Sequence, residues 1–123
     1  GESIGGSIAC SLGTKLNIKY LVLQSTFTDI KLIIRKILSV DILSLAKIGF
    51  NTLDNLKNRY KVNKIKKAMK TLIIHSTEDE LIDISHAYDL EKYGDKLIIC
   101  DGSHSNIIID DDFIFNFITF LKD

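Results

Sequence analysis

The chain predicts an α/β fold, a parallel sheet with flanking helices, and three observations lead there. Short apolar runs rich in strand formers recur at Lys19–Gln24, Thr71–His75 and Lys96–Cys100. Stretches with helical spacing separate them, and alternation of this kind makes a parallel sheet joined by right-handed crossovers. The runs are nearly continuous in apolar residues, as strands buried on both faces are.

The elements follow in order. Ser3 to about Leu12 reads as a helix with a small-residue face of Gly5, Gly6 and Ala9, which lets a helix lie close on a sheet; Gly13 is its expected C-cap. After the first strand, Ser25-Thr26-Phe27-Thr28-Asp29 breaks the pattern. Ile30 to about Lys70 looks helical but irregular, with apolar residues at Ile33, Ile34, Ile37 and Leu38, then Ile42, Leu43, Leu45 and Ile48. Its end, Lys57 to Lys70, holds six lysines and an arginine around Val62, Ile65 and Met69, and reads as a solvated helix face, with an anionic membrane or acidic partner as the other reading. The second strand exits into Ser76-Thr77-Glu78-Asp79, and Ile84 to Tyr93 is the next helix. The third strand exits through Asp101-Gly102-Ser103-His104. Asp110-Asp111-Asp112 then opens a last helix with Phe113, Phe117, Phe120 and Leu121 on one face.

Composition sets the bounds. The 123 residues are 46% hydrophobic and 26% charged, which is a globular composition with room for one core. A net charge of +0 gives no reason to expect nucleic acid as a partner. Cys10 and Cys100 sit in apolar stretches and read as buried free thiols, with a disulfide as the lesser reading, which favours a reducing compartment. No apolar run reaches bilayer length and no signal peptide is visible. The expected location is the cytoplasm, with membrane association through a preceding region left open. No zinc spacing, phosphate loop or dinucleotide fingerprint occurs. Asp110 to Asp112 reads as acidic residues at a helix N-terminus, so neither metal nor cofactor is expected. Oligomeric state is not readable.

The first residues carry the chemistry. Gly1-Glu2-Ser3-Ile4-Gly5-Gly6 contains Gly-x-Ser-x-Gly, the sharp strand-to-helix turn that lifts a serine hydroxyl clear of the backbone. A serine needs a base to take its proton, and the base needs an orienting carboxylate. Asp79 and His104 each follow a predicted strand, where ligands bind in such sheets. In this reading Ser3 is the nucleophile, His104 the general base and Asp79 the acid that fixes the imidazole. The Ile4 N–H, at a helix N-terminus, is one oxyanion donor. The bland alternatives are a helix N-cap for Ser3, a turn residue for Asp79 and a loop histidine for His104. His75, His86, Glu78, Glu80, Asp83 and Asp101 are weaker candidates for the base and acid roles.

These segments resemble the α/β-hydrolase superfamily of serine hydrolases, most closely its small-cap branch of acyl-protein depalmitoylase-like and serine-aminopeptidase-like proteins. Gly1 to Gly6 resembles the elbow, Leu21 to Asp29 the next strand and loop, Leu72 to Ile82 the acid-bearing strand, and Asp101 to Asn106 the histidine loop. Ser76 stands where the family often has Gly, and Asp83 where it often has Pro. The resemblance implies that residues 1–123 are the C-terminal half of an α/β-hydrolase domain, with residues 30–70 as cap or sheet-covering helices. The implied activity is cleavage of an ester or thioester, in a small molecule or an acylated protein, through an acyl-serine and without cofactor. A serine peptidase acting on small peptides and a non-catalytic interaction module remain the alternatives. Ester and amide substrates are separated by pocket shape, which the triad does not encode.

Overall fold

The computed structural model describes residues 1–38, 51–66 and 69–123. Helix α1 (Ile4–Lys15) leads to β1 (Tyr20–Gln24), followed by α2 (Ile30–Leu38) and α3 (Thr52–Lys66). Then come β2 (Lys70–Ser76), α4 (Ser85–Glu91) and β3 (Lys96–Cys100). A small hairpin, β4 (Gly102–Ser103) and β5 (Asn106–Ile107), precedes the last helix, α5 (Asp111–Lys122).

The three-stranded sheet is parallel with order β1-β2-β3, as the sequence predicts. Because the order advances one way, right-handed crossovers put the connecting helices on one face. Side chains alternate accordingly. Leu21, Leu23 and Ile73 meet Cys10 of α1, Leu56 of α3 and Ala87 and Leu90 of α4. Leu72, Ile74, Ile98 and Cys100 meet Phe113 and Phe120 of α5 on the opposite face. Central β2 is covered on both sides, so its residues from Thr71 to Ser76 are all buried.

Three expectations are corrected. Gly13 lies within α1, which runs on to Lys15. A Cβ there would come 3.2 Å from Ile18 Cδ1, so the glycine serves close packing where the chain turns into β1. Leu121 is 39% exposed. Phe113 and Phe120 face the sheet, while the Leu121 carbonyl accepts from the Tyr20 hydroxyl at 2.9 Å. The stretch from Lys57 is not wholly a solvated face: Lys57 lies 5.5 Å over the Tyr93 ring and Arg59 is buried.

The long helical stretch divides in two. Helix α3 covers the sheet through Leu56. Helix α2 instead packs Ile33 against Phe27 and Ile82, which lie in loops at the strand ends. An Asp29–Asn51 bridge joins the point where the chain leaves for α2 to the point where it enters α3. The expected cap residues Ile42, Leu43, Leu45 and Ile48 lie outside the described residues. Both cysteines are buried free thiols. Burial pushes the Cys10 thiol up to about 12 and raises Cys100 as well, so neither is poised as a thiolate nucleophile. Asp110 is the N-cap of α5 and accepts from the Phe113 N–H at 2.7 Å, a contact of the kind worth about 1 kcal/mol.

Candidate active site

The ends of the Gly1–Glu2 segment, β2 and β3 converge at one edge of the sheet, with β1 between the first two. Gly1 and Glu2 run parallel to the end of β1: the Gln24 N–H donates to the Gly1 carbonyl at 3.0 Å, and the Ser3 N–H donates to the Gln24 carbonyl at 3.0 Å. The chain then turns at Ser3 with φ 49° and ψ −124°. An L-residue pays a steric penalty there, and the surroundings hold it. The Thr26 hydroxyl donates to the Ser3 carbonyl at 2.6 Å, and the Gly6 N–H donates to the same oxygen at 3.0 Å.

Ser3 occupies the N-cap position of α1, yet its side chain makes no capping hydrogen bond. The hydroxyl lies 3.1 Å from Nε2 of His104. His104 Nδ1 lies 2.9 Å from Oδ2 and 3.1 Å from Oδ1 of Asp79. A carboxylate only accepts, so Nδ1 carries the proton and the Nε2 lone pair faces the Ser3 hydroxyl. Asp79 is wholly buried at its side chain and His104 nearly so. The Asp79 carboxylate is held by its own loop, with Oδ1 accepting from Leu81 N–H at 3.0 Å and Ile82 N–H at 2.7 Å. Two fixed N–H groups thus hold one oxygen of the buried side chain in place. Chemically, the row can draw a proton from Ser3 onto His104 and hold the resulting imidazolium against Asp79. Ile4 opens α1, so its N–H is among the helix N–H groups without an intrahelical acceptor.

The other candidates have different partners. Glu80 accepts from the His104 backbone N–H at 3.0 Å and Glu78 from the Gly102 N–H at 3.2 Å. Ser76 Oγ donates to the Gly102 carbonyl. The acid loop therefore clamps the backbone of the histidine loop, a function invisible in the sequence. Gly102 takes φ 104°, and a Cβ there would collide with the Asn106 carbonyl, so the hairpin requires glycine. Asp83 accepts from the Ser85 N–H at 2.9 Å at the start of α4. His86 Nδ1 accepts from the Thr28 N–H at 3.2 Å and lies 2.9 Å from its hydroxyl, and burial holds the His86 pKa below the usual value. Asp101 is exposed. His75 is buried behind Asp79.

The His104 N–H, foremost, holds the Glu80 carboxyl below its usual range. A folded-state pKa below the unfolded one gives stability present above the ordinary carboxylate range and lost as pH falls through the lowered value. Glu80→Gln keeps an acceptor but removes the charge. It is expected to be slightly less stable than the parent near pH 7, with the difference closing in acid. Urea unfolding of both proteins across pH checks this; a gap that stays constant with pH contradicts it.

The glycines near Ser3 are not equivalent. A Cβ on Gly6 would lie 2.5 Å from Thr26 Oγ1 and 2.6 Å from its Cβ, whereas one on Gly5 meets nothing within 4 Å. This corrects the expected small-residue face, in which Gly5 and Gly6 are alike. A Cβ on Gly1 would strike the Gly5 carbonyl, so it is Gly1 and Gly6 that space demands. Gly5→Ala is expected to stabilise by about 0.5–1 kcal/mol through helix propensity. Gly6→Ala is expected to cost about 1–3 kcal/mol by overpacking. Because it displaces the hydroxyl that holds the Ser3 carbonyl, it should also slow any reaction at Ser3. Denaturant unfolding of the pair checks the opposite signs.

A comparison with solved structures agrees with the α/β architecture. The chain superposes with a TM-score of 0.65, at 15% identity, on the esterase domain of a Rhodothermus marinus protein, covering 99% of this chain and 57% of that one. The shared fold is therefore α/β, a parallel sheet with flanking helices. In sequence the chain is 27% identical over 141 residues to the uncharacterised protein R595 of Acanthamoeba polyphaga mimivirus, with all of this chain and 47% of that protein aligned. The chain thus spans about half the length of the curated relative it matches. No family model matches. Among the described residues no helix is long and apolar enough to cross a membrane.

Proposed function

We propose that this chain carries the nucleophile, base and acid of a serine hydrolase that cleaves an ester or thioester through an acyl-serine intermediate. The observation that carries the reading is the hydrogen-bonded row Ser3–His104–Asp79, built at the C-terminal ends of parallel segments of one sheet with Ser3 in a strained conformation. The esterase-domain fold supports it.

Ser3 Oγ attacks the acyl carbon while His104 Nε2 takes the hydroxyl proton. The carbonyl oxygen becomes an oxyanion, and the Ile4 N–H stabilises it together with the positive end of α1. The imidazolium is held by Asp79 and returns its proton to the leaving alcohol or thiol as the C–O or C–S bond breaks. Water then repeats the sequence on the acyl-serine with His104 as base, releasing the acid and restoring Ser3. No cofactor takes part. The proposed substrates are small acyl esters or an acylated protein, as in the depalmitoylase-like branch the sequence resembles.

A fluorophosphonate probe tests the reading on the protein at its full natural length. Labelling that disappears in both Ser3→Ala and His104→Ala supports it. A folded protein that takes no label overturns it and leaves a non-catalytic interaction module.

A further inference from the structure

We infer, on the reading of Asp79 as the orienting acid, that His75 is a positioning residue that holds the Asp79 turn beneath His104. His75 is 1% exposed, at the end of the most deeply buried strand. Its Nε2 lies 2.8 Å from the Ile82 carbonyl and 3.4 Å from Asp79 Oδ2. Its Nδ1 is buried with no partner among the described residues. Both neighbours of Nε2 are acceptors, so the ring carries its proton on Nε2 and leaves Nδ1 as a bare lone pair.

A half-satisfied imidazole is a poor filler for a core position, since burying an unpaired polar atom costs more than burying a methyl group. What the ring supplies is a donor placed between two parts of one turn. Ile82 gives its N–H to Asp79 Oδ1 and its carbonyl to His75. The turn is thereby fastened at its far end to β2, and the His75 Nε2–H directs a dipole at Asp79 Oδ2, the nearer of the two oxygens to His104 Nδ1. The 3.4 Å separation from Oδ2 is longer than a full hydrogen bond, so the direct effect on the carboxylate is electrostatic and the positioning runs mainly through Ile82. His75 touches neither Ser3 nor His104 in any hydrogen bond, and it acts on the reaction only by fixing where Asp79 sits. Free rotation of Asp79 by even part of an ångström would loosen the tautomer control on which His104 depends.

His75→Leu keeps volume and removes the donor, and His75→Gln returns an N–H at similar reach. The tests are turnover of a p-nitrophenyl acyl ester per active site titrated with fluorophosphonate, and imidazole tautomers by 15N NMR. His75→Leu is expected to lower kcat per titrated site by about tenfold, the rate equivalent of one ordinary hydrogen bond, with KM unchanged. His75→Gln is expected to recover most of that loss. A purely structural role would lower the number of titratable sites and leave kcat per site intact, which overturns the inference. If the leucine variant does not fold, the parent spectrum decides: a proton on Nδ1 of His75 overturns it, and a proton on Nε2 together with the glutamine result supports it. Absence of labelling at Ser3 in the parent tells against the hydrolase reading alone. In that case the His104 Nδ1–H resonance decides: displacement in the leucine variant and restoration in the glutamine one supports His75 as the anchor of Asp79, and an unmoved resonance overturns it.

Discussion

Ser3→Ala is expected to remove fluorophosphonate labelling and to lower acyl-ester turnover on the order of 10⁶-fold, with His104→Ala comparable. The two groups act as one unit. Without the hydroxyl, His104 Nε2 has no proton to accept at 3.1 Å; without the imidazole, the hydroxyl remains a weak nucleophile. The double variant should therefore lose little more than either single one. Folding should be spared in Ser3→Ala, because the Ser3 side chain makes no capping bond for α1 and the turn is held through the Ser3 carbonyl by Thr26 and Gly6. Titrated burst kinetics and urea unfolding on the same samples check both halves. Residual turnover within tenfold of the parent would sink the assignment of Ser3.

Asp79→Asn is expected to cost about 10⁴-fold in turnover while leaving the loop folded. Asparagine can still accept the Leu81 and Ile82 N–H groups through one oxygen, as Asp79 Oδ1 does. Its amide N–H₂ then faces His104 Nδ1, where Oδ2 stands at 2.9 Å. A donor against Nδ1 makes that nitrogen the acceptor and moves the ring proton to Nε2, so the imidazole presents N–H to Ser3 and cannot serve as base. The expected signature is a lost rate with native unfolding behaviour and, by 15N NMR, a reversed His104 tautomer. Loss of rate with an unchanged tautomer would instead mean that Asp79 acts by its charge alone.

Much of this was legible in the chain because it is local. The three strands announce themselves as apolar runs, and the positions of Asp79 and His104 just after two of them follow from that reading. The Gly-x-Ser-x-Gly spacing marks the turn at Ser3, since only a few residues tolerate it. Sequence pattern and structure part where a single residue can serve two local purposes. Gly13 has the position of a cap but is small for the sake of Ile18, and Leu121 falls on the apolar stripe of α5 but misses the sheet. Periodicity tells which residues share a helix face, not where the edge of the neighbour lies. Glu78 and Glu80, acid candidates by position, instead accept from backbone N–H groups of the next loop.

By itself, then, the sequence determined the α/β class, the order of the helices and of the three sheet strands though not the small β4–β5 hairpin, and three chemical groups waiting at strand ends, because each of these depends on neighbours a few residues apart. Only the tertiary structure decided the spacing of those groups and their support. Ser3 meets His104 and Thr26 meets Ser3 across long separations in the chain. Glu80 and His75 find their roles in the register of β2 against β3 and in the fold of one buried turn. Contacts of that kind are fixed by the packing of the whole sheet, so no local pattern of residue types records them.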